Sequence, residues 1–184
     1  YILGFKNDVE YVAGFFYAGA ALGTIFAGDL FTFFVFWESL TIGSVVLVWS
    51  SRTTKAQAAG FRYFMIHVFA GLLLLAGIVL HYSHTGSLQM SLMTLSGPGS
   101  WFMFLGIGIN CGWPILHPWI KNAYPEATIG GTVFLSSFTT KTAVYALARL
   151  YPGTDILIWI GASMATFPIF YAVIENDLRR VLAY

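Results

Sequence analysis

Apolar residues run through this chain in blocks, and the length of those blocks decides what it can fold into. Each is close to the roughly 20 residues that a helix needs to cross about 30 Å of hydrocarbon. Six spans can be placed: Tyr11 to Gly28, Leu30 to Ser50, Ala58 to His81, Trp101 to Ile120, Thr128 to Leu150 and Ile156 to Val173. Charged residues make up 9% of the 184 residues and the mean hydropathy is +0.74, whereas a soluble domain carries about 25% charge. The alternating pattern of a membrane β-barrel, apolar on one face over about 10 residues, is absent. The fold class is therefore all-α, a polytopic bundle of about six transmembrane helices.

The fourth span is interrupted at Trp113-Pro114 and again at His117-Pro118. Proline removes a backbone donor and clashes with the preceding turn. Two readings are open: a simple kink, or a discontinuous helix near Pro114. A discontinuous helix is tolerated at membrane depth where it is buried in protein or lines water.

The formal net charge of +1 leaves no basic or acidic tail to suggest nucleic acid as a partner. A single cysteine, Cys111, excludes an internal disulfide and a cysteine-cluster metal site. The chain opens at Tyr1-Ile2-Leu3 without Met or a basic leader and closes on LRRVLAY. Both ends read as cuts, so residues 1–184 are expected to form a single membrane domain within a larger protein. With six alternating spans, Lys6, Arg52, Lys55, Arg62, Lys121, Arg179 and Arg180 fall on one side, and Arg149 alone on the other. The positive-inside rule puts the first set in the cytoplasm. Tyr82, Trp101, Trp119 and Tyr151 sit near span ends, as interfacial aromatic residues do.

One glutamate stands in the aromatic stretch FFVFWESLTIG, residues 33–43. A charge near the middle of a span costs roughly 2.5–3.5 kcal/mol on insertion scales, so such residues usually face a bundle interior and serve a pathway. Glu38 has counterparts at similar depth: His67 in YFMIHVFAG, Asn110 in GIGINCGW and Lys141 in SSFTTKTAV. Ser137 precedes Lys141 by one helical turn and shares its face; Thr139 and Thr140 add hydroxyls. Structural readings stand beside the functional one. Glu38 and Lys141 can form an ion pair that sets helix register, His67 can be a satisfied core histidine, and Asn110 can join helices by hydrogen bonding.

The combination of acid, base and imidazole at one depth points to proton transfer. A carboxyl and an amine exchange protons when their distance or solvation changes, and imidazole titrates near neutrality between them. No GxGxxG, P-loop or cysteine set is present, so no cofactor is expected. His117 lacks a second histidine at ligand spacing, so no metal is expected. Asp29 either caps a helix or lies at an outer ion entrance.

FAGDLFTFFVFWESL, PWIKNAYPEATIGGTVFLSSFTTKTAVYALAR and ENDLRRVLAY resemble the proton-translocating antiporter-like membrane subunits. That family comprises the A-type and D-type Mrp sodium/proton antiporter proteins and the antiporter-like subunits of respiratory complex I; the D-type is the nearest in character. The resemblance covers nearly the whole chain. It implies about fourteen transmembrane helices built from inverted repeats, of which this chain would supply approximately helices four to nine. It places the family's fifth-helix glutamate on Glu38, its eighth-helix lysine on Lys141, its sixth-helix polar site at or near His67, and its broken seventh helix at Pro114. One departure stands out. Counting back from Trp119, the usual seventh-helix lysine is Asn110 here, which cannot carry a proton charge. Either Lys141 partners Glu38 instead, or this half-channel is altered.

The expected function is therefore an integral subunit of a multi-subunit monovalent cation/proton antiporter in a bacterial-type inner membrane. Protons, sodium or potassium, and other membrane subunits would be its partners. Glu38, Lys141 and His67 would transfer protons, while Asn110, Ser137, Thr140 and His117 support them. The alternative is a proton-pumping subunit of an NADH dehydrogenase-like redox complex, whose electron chemistry lies in other chains. A third reading is a scaffold that no longer translocates.

Overall fold

The structure, a computed structural model, describes residues 8–184. Lys6 and the opening Tyr1-Ile2-Leu3 lie outside the described residues. Along α1 (Asp8–Phe26) side chains sort by size in the direction opposite to that of a soluble helix. Val12 and Phe26 are exposed at 69% and 80%, while Ala13, Gly14, Tyr17, Ala20 and Thr24 are buried. Lipid solvates large apolar groups, and membrane helices approach one another through small and polar residues. The same sorting recurs on α2 (Leu30–Trp49) and α3 (Thr54–Thr85), where Phe31, Ile42 and Leu72 face outward and Gly43, Ser44, His67 and Gly71 face inward.

Asp29 caps α2. Its carboxylate accepts from the Thr32 amide at 2.8 Å and from the Thr32 hydroxyl at 2.6 Å, satisfying a first-turn donor. Helix α3 is longer than the span read from hydropathy. It begins at the Thr53 cap, whose hydroxyl accepts from the Ala56 amide at 3.0 Å, and ends at Gly86 with φ +67°. Its 32 residues reach about 48 Å at 1.5 Å per residue. Polar Lys55, Gln57 and Arg62 are exposed on the first turns, so the helix continues beyond the hydrocarbon.

Residues 86–97 fold over one end of the bundle. The Leu88 carbonyl accepts from the Leu30 amide at 2.8 Å, and the Met93 amide donates to the Leu150 carbonyl at 2.7 Å. The fourth span is two helices: α4 (Pro98–Cys111) and the short α5 (Pro118–Ala123). Between them Gly112 takes φ +79° and Ile115 φ +73°. A left-handed residue ends a helix, and the prolines prevent it from resuming before Pro118. The discontinuous reading is the observed one. A 3₁₀ turn (Tyr124–Glu126) leads into α6 (Ile129–Leu150), then α7 (Asp155–Ile174) and the short α8 (Leu178–Val181). No strand forms among the described residues.

Helices α1, α2, α3 and α7 are each long and apolar enough to cross a membrane; α6 is as long but carries Lys141 and Arg149. Among the described basic residues, Arg179 and Arg149 bond at opposite ends of the bundle. Arg179 donates to the Ala127 carbonyl at 2.7 Å, tying the C-terminal segment to the turn beside Lys121. At the opposite end Arg149 and Tyr145 both donate to the Ile25 carbonyl, at 3.0 and 3.2 Å. Arg149 thus closes the carbonyl end of α1.

Two apolar clusters fill the interior, one around Phe33, Leu74, Phe104 and Tyr151, the other around Tyr17, Leu40, Tyr63 and Trp119. Trp37 belongs to the first and Leu40 to the second. Glu38 lies at the seam between them.

Candidate functional site

Glu38 projects from α2 onto Gly71 of α3. A Cβ built on Gly71 would overlap Glu38 Oε1, so the glycine makes the notch that the carboxyl fills. That oxygen is buried and accepts no hydrogen bond from the protein.

His67 lies one helical turn along α3 from Gly71 and is fully buried. Its ring stacks on Tyr63 with centroids 3.9 Å apart and meets the edge of Trp119 at 4.5 Å. Nδ1 donates to the Tyr63 carbonyl at 2.9 Å. A carbonyl can only accept, so Nδ1 carries the proton and Nε2 offers a lone pair. Nε2 has no protein partner.

Asn110 sits in the last turn of α4 and is 1% exposed. Helix α4 touches α3 where Gly106 meets the Ala70 carbonyl; a Cβ there would stand 2.6 Å from that oxygen. One turn further, Asn110 reaches the level of His67. Its Oδ1 is also without a protein partner. Three of the residues read from the sequence, on α2, α3 and α4, therefore each keep a buried polar atom unpaired by protein. Such atoms are rare in native interiors and ordinarily have a functional or solvent explanation.

Lys141 does not join them. It is exposed on the far face of α6, where it lines a cavity of about 230 Å³ between α5, α6 and α7. Thr140, His117 and Lys121 line the same cavity, and the α4–α5 break at Gly112 and Pro114 forms part of its wall. Ser137 is exposed as expected from sharing the Lys141 face, but its hydroxyl donates to the Val133 carbonyl of its own helix at 2.7 Å. His117 immediately precedes α5 with its ring 6.4 Å from that of Tyr171. Among the described residues no group of three or more His, Cys, Asp or Glu could hold a metal ion.

A family model described as NADH:quinone oxidoreductase/Mrp antiporter, TM, matches residues 27–184. The chain belongs to this family. It is 30% identical to the D-type Na(+)/H(+) antiporter subunit of Alkalihalophilus pseudofirmus over 92% of its length and 38% of that protein. It is 27% identical to the M-type NADH-quinone oxidoreductase subunit of Escherichia coli (strain K12), over 97% of its length and 42% of the relative. Among solved structures, the Mrp complex from Dietzia sp. superposes with a TM-score of 0.83 at 25% identity, covering 91% of this chain and 35% of that one. Respiratory complex I from Thermus thermophilus, with bound aureothin, superposes at 0.85 and 21% identity, covering 97% and 42%; at that identity it shows the shared fold. The chain thus spans about 40% of the length of the relatives it matches.

The bundle also holds groups outside the site set read from the sequence, where Thr139 is named only as a hydroxyl beside Lys141. Tyr17 and Thr139 are hydrogen-bonded through their hydroxyls. Tyr63 donates to the Ser44 hydroxyl at 3.0 Å, and Ser44 donates to the Thr41 carbonyl at 2.7 Å. Glu10 is fully buried and accepts from Thr128, the residue that caps α6. Tyrosine near a span end reads equally well as an interfacial anchor, and nothing in one span reveals which hydroxyl another span will meet.

Proposed function

We propose that this chain is part of a membrane subunit of a multi-subunit monovalent cation/proton antiporter, and that Glu38, His67 and Lys141 carry protons through it. The observation that carries the reading is that Glu38 Oε1, His67 Nε2 and Asn110 Oδ1, on three successive helices, are buried polar atoms unpaired by protein. The protonated Glu38 carboxyl there gives its proton to the His67 Nε2 lone pair through water held by the asparagine amide, leaving a carboxylate and an imidazolium that passes the proton on. Lys141 receives it on the other side of α6 and delivers it to the cavity. Asn110 stands where the family resemblance expects lysine, so it orients rather than carries.

On this reading residues 1–184 are one stretch of a longer subunit of the inner membrane, with the basic end in the cytoplasm, assembled beside other membrane subunits. Thr140 and His117 line the exit of the path, and Ser137 flanks it on the same helix face. The 30% identity to a D-type sodium/proton antiporter protein supports the choice of sodium or potassium exchange. A redox-driven proton pump is the second reading, supported by the similarity to an NADH-quinone oxidoreductase subunit and by the 0.81 TM-score, at 27% identity, with the membrane-bound sulfane sulfur reductase.

The test uses the subunit in its assembled complex, in inverted vesicles energised to an acid interior. Adding sodium or potassium should collapse the gradient in wild type and not in Glu38→Gln. Collapse undiminished in Glu38→Gln rejects the site. A gradient in wild type that ignores both cations moves the assignment to the redox-driven pump.

A further inference from the structure

We propose that Glu10 and Tyr17 are positioning residues: they fix α6 at the rotation that turns Lys141 toward its cavity. This rests on the proton-transfer reading above, in which Lys141 takes up the proton, and it assigns the residues that keep that side chain facing the cavity.

The two bonds lie along one line on each helix. Thr128, the residue that caps α6, donates to Glu10, and Thr139 is hydrogen-bonded to Tyr17. Successive helical residues turn by about 100°. Glu10 and Tyr17 are seven residues apart, about two turns, so both project from one face of α1. Thr128 and Thr139 are eleven residues apart, about three turns, so both stand on one face of α6. Two bonds three turns apart on one face oppose both rolling and sliding of α6 against α1. A third tie lies at the far end, where Arg149 donates to the Ile25 carbonyl at 3.0 Å.

Lys141 is two residues past Thr139, about 200° around the helix. Thr139 is buried on the tied face, while Lys141 is exposed on the opposite face and lines the cavity. Holding one face against α1 therefore holds the other toward the cavity.

Apolar packing does not do this by itself. Most directions around a membrane helix offer similar apolar contacts, and polar contacts between helices single out one angle. The chemistry of the two pairs fits that task. Thr128 uses its hydroxyl twice, accepting from the Gly131 amide at 3.0 Å while donating to Glu10. An acidic group at that point also meets the positive end of α6. Tyr17 is fully buried, and its ring meets the edge of Phe138, the neighbour of Thr139, with centroids 5.6 Å apart. Neither Glu10 nor Tyr17 lines the Lys141 cavity, so they act on Lys141 through α6.

The experiment reads the facing of α6 directly. Lys141→Cys is made in a Cys111→Ser background, because Cys111 lines the same cavity. The assembled complex is alkylated with N-ethylmaleimide, and the modified peptide is quantified by mass spectrometry. Adding Glu10→Met with Tyr17→Phe should slow alkylation about tenfold, the change expected when one orientation in ten faces the cavity. In the chain that keeps Lys141, Glu10→Met or Tyr17→Phe should lower transport per assembled complex about tenfold. Glu10→Gln, whose amide oxygen still accepts from Thr128, should keep the wild-type rate. Unchanged alkylation in the double variant overturns the proposal, whatever transport does. A Glu10→Gln chain as slow as Glu10→Met also overturns it, because Glu10 would then act by its own proton or charge. If the double variant does not assemble, each single substitution is alkylated and the same criterion applies. Undiminished collapse in Glu38→Gln is a different result: it rejects the proposed function, while the alkylation ratio still decides whether α1 sets the facing of α6.

Discussion

The Glu38 carboxyl occupies the space that a side chain on Gly71 would fill. The acid is therefore positioned by the absence of a methyl group on the neighbouring helix. Gly71→Ala meets the end of a flexible side chain, which can swing away. The variant should fold, at a cost of about 1 kcal/mol, yet displace the carboxyl and reduce transport. Thermal unfolding in detergent beside the vesicle assay separates the two effects. Full transport in Gly71→Ala would show that the notch does not set the acid's position.

Gly106 makes the opposite case. A Cβ there would stand 2.6 Å from the Ala70 carbonyl oxygen and 2.9 Å from the Leu74 nitrogen, both backbone atoms that cannot step aside. Gly106→Ala should separate α3 from α4 and cost about 3 kcal/mol. A lowered melting temperature and less assembled complex are the expected readouts. Unchanged melting would mean that α3 and α4 tolerate a wider spacing.

His67 separates a functional from a purely structural histidine. Phenylalanine keeps the ring between Tyr63 and Trp119 but has no lone pair to replace Nε2. His67→Phe should assemble like wild type and lose most transport. A variant that transports normally would make His67 a packing residue, and the path would have to leave Glu38 by another route.

Asp29 gives a pH dependence at the N-terminal end of α2. Its hydrogen bonds from the Thr32 hydroxyl and amide hold the carboxyl below its ordinary value. A depressed value in the folded state means that the cap contributes its stability above the unfolded carboxyl pKa of about 3.9 and loses it as the pH falls through the lower folded value. Asp29→Ala should cost about 1 kcal/mol at neutral pH and remove the acid-dependent part. Hydrogen exchange at the Thr32 and Phe33 amides follows it directly; equal protection in both proteins at neutral pH would exclude the cap.

The sequence by itself determined the class of fold. Blocks of about 20 apolar residues have no other stable state in a bilayer than helices that satisfy their own backbone. Pro114 and Pro118 marked where the fourth span is interrupted, because φ restriction and a missing donor act locally, but they left a kink and a discontinuous helix both open until Gly112 was seen at φ +79°. Glu38, His67 and Asn110 stood out for the cost of placing polar groups at mid-depth, and each keeps a buried polar atom without a protein partner.

Only the tertiary structure decided where those groups point. Lys141 shares their depth, but the rotation of α6 turns it to a separate cavity and brings Thr139 to the interior instead. Depth follows from position along a span. Facing depends on which neighbours pack against it, and almost every direction around an apolar helix looks alike in sequence. The Gly71 notch and the meeting of Tyr17 with Thr139, 122 residues apart, belong to the same class of fact. They arise from how closely one helix approaches another, a property of pairs of spans that no single span encodes.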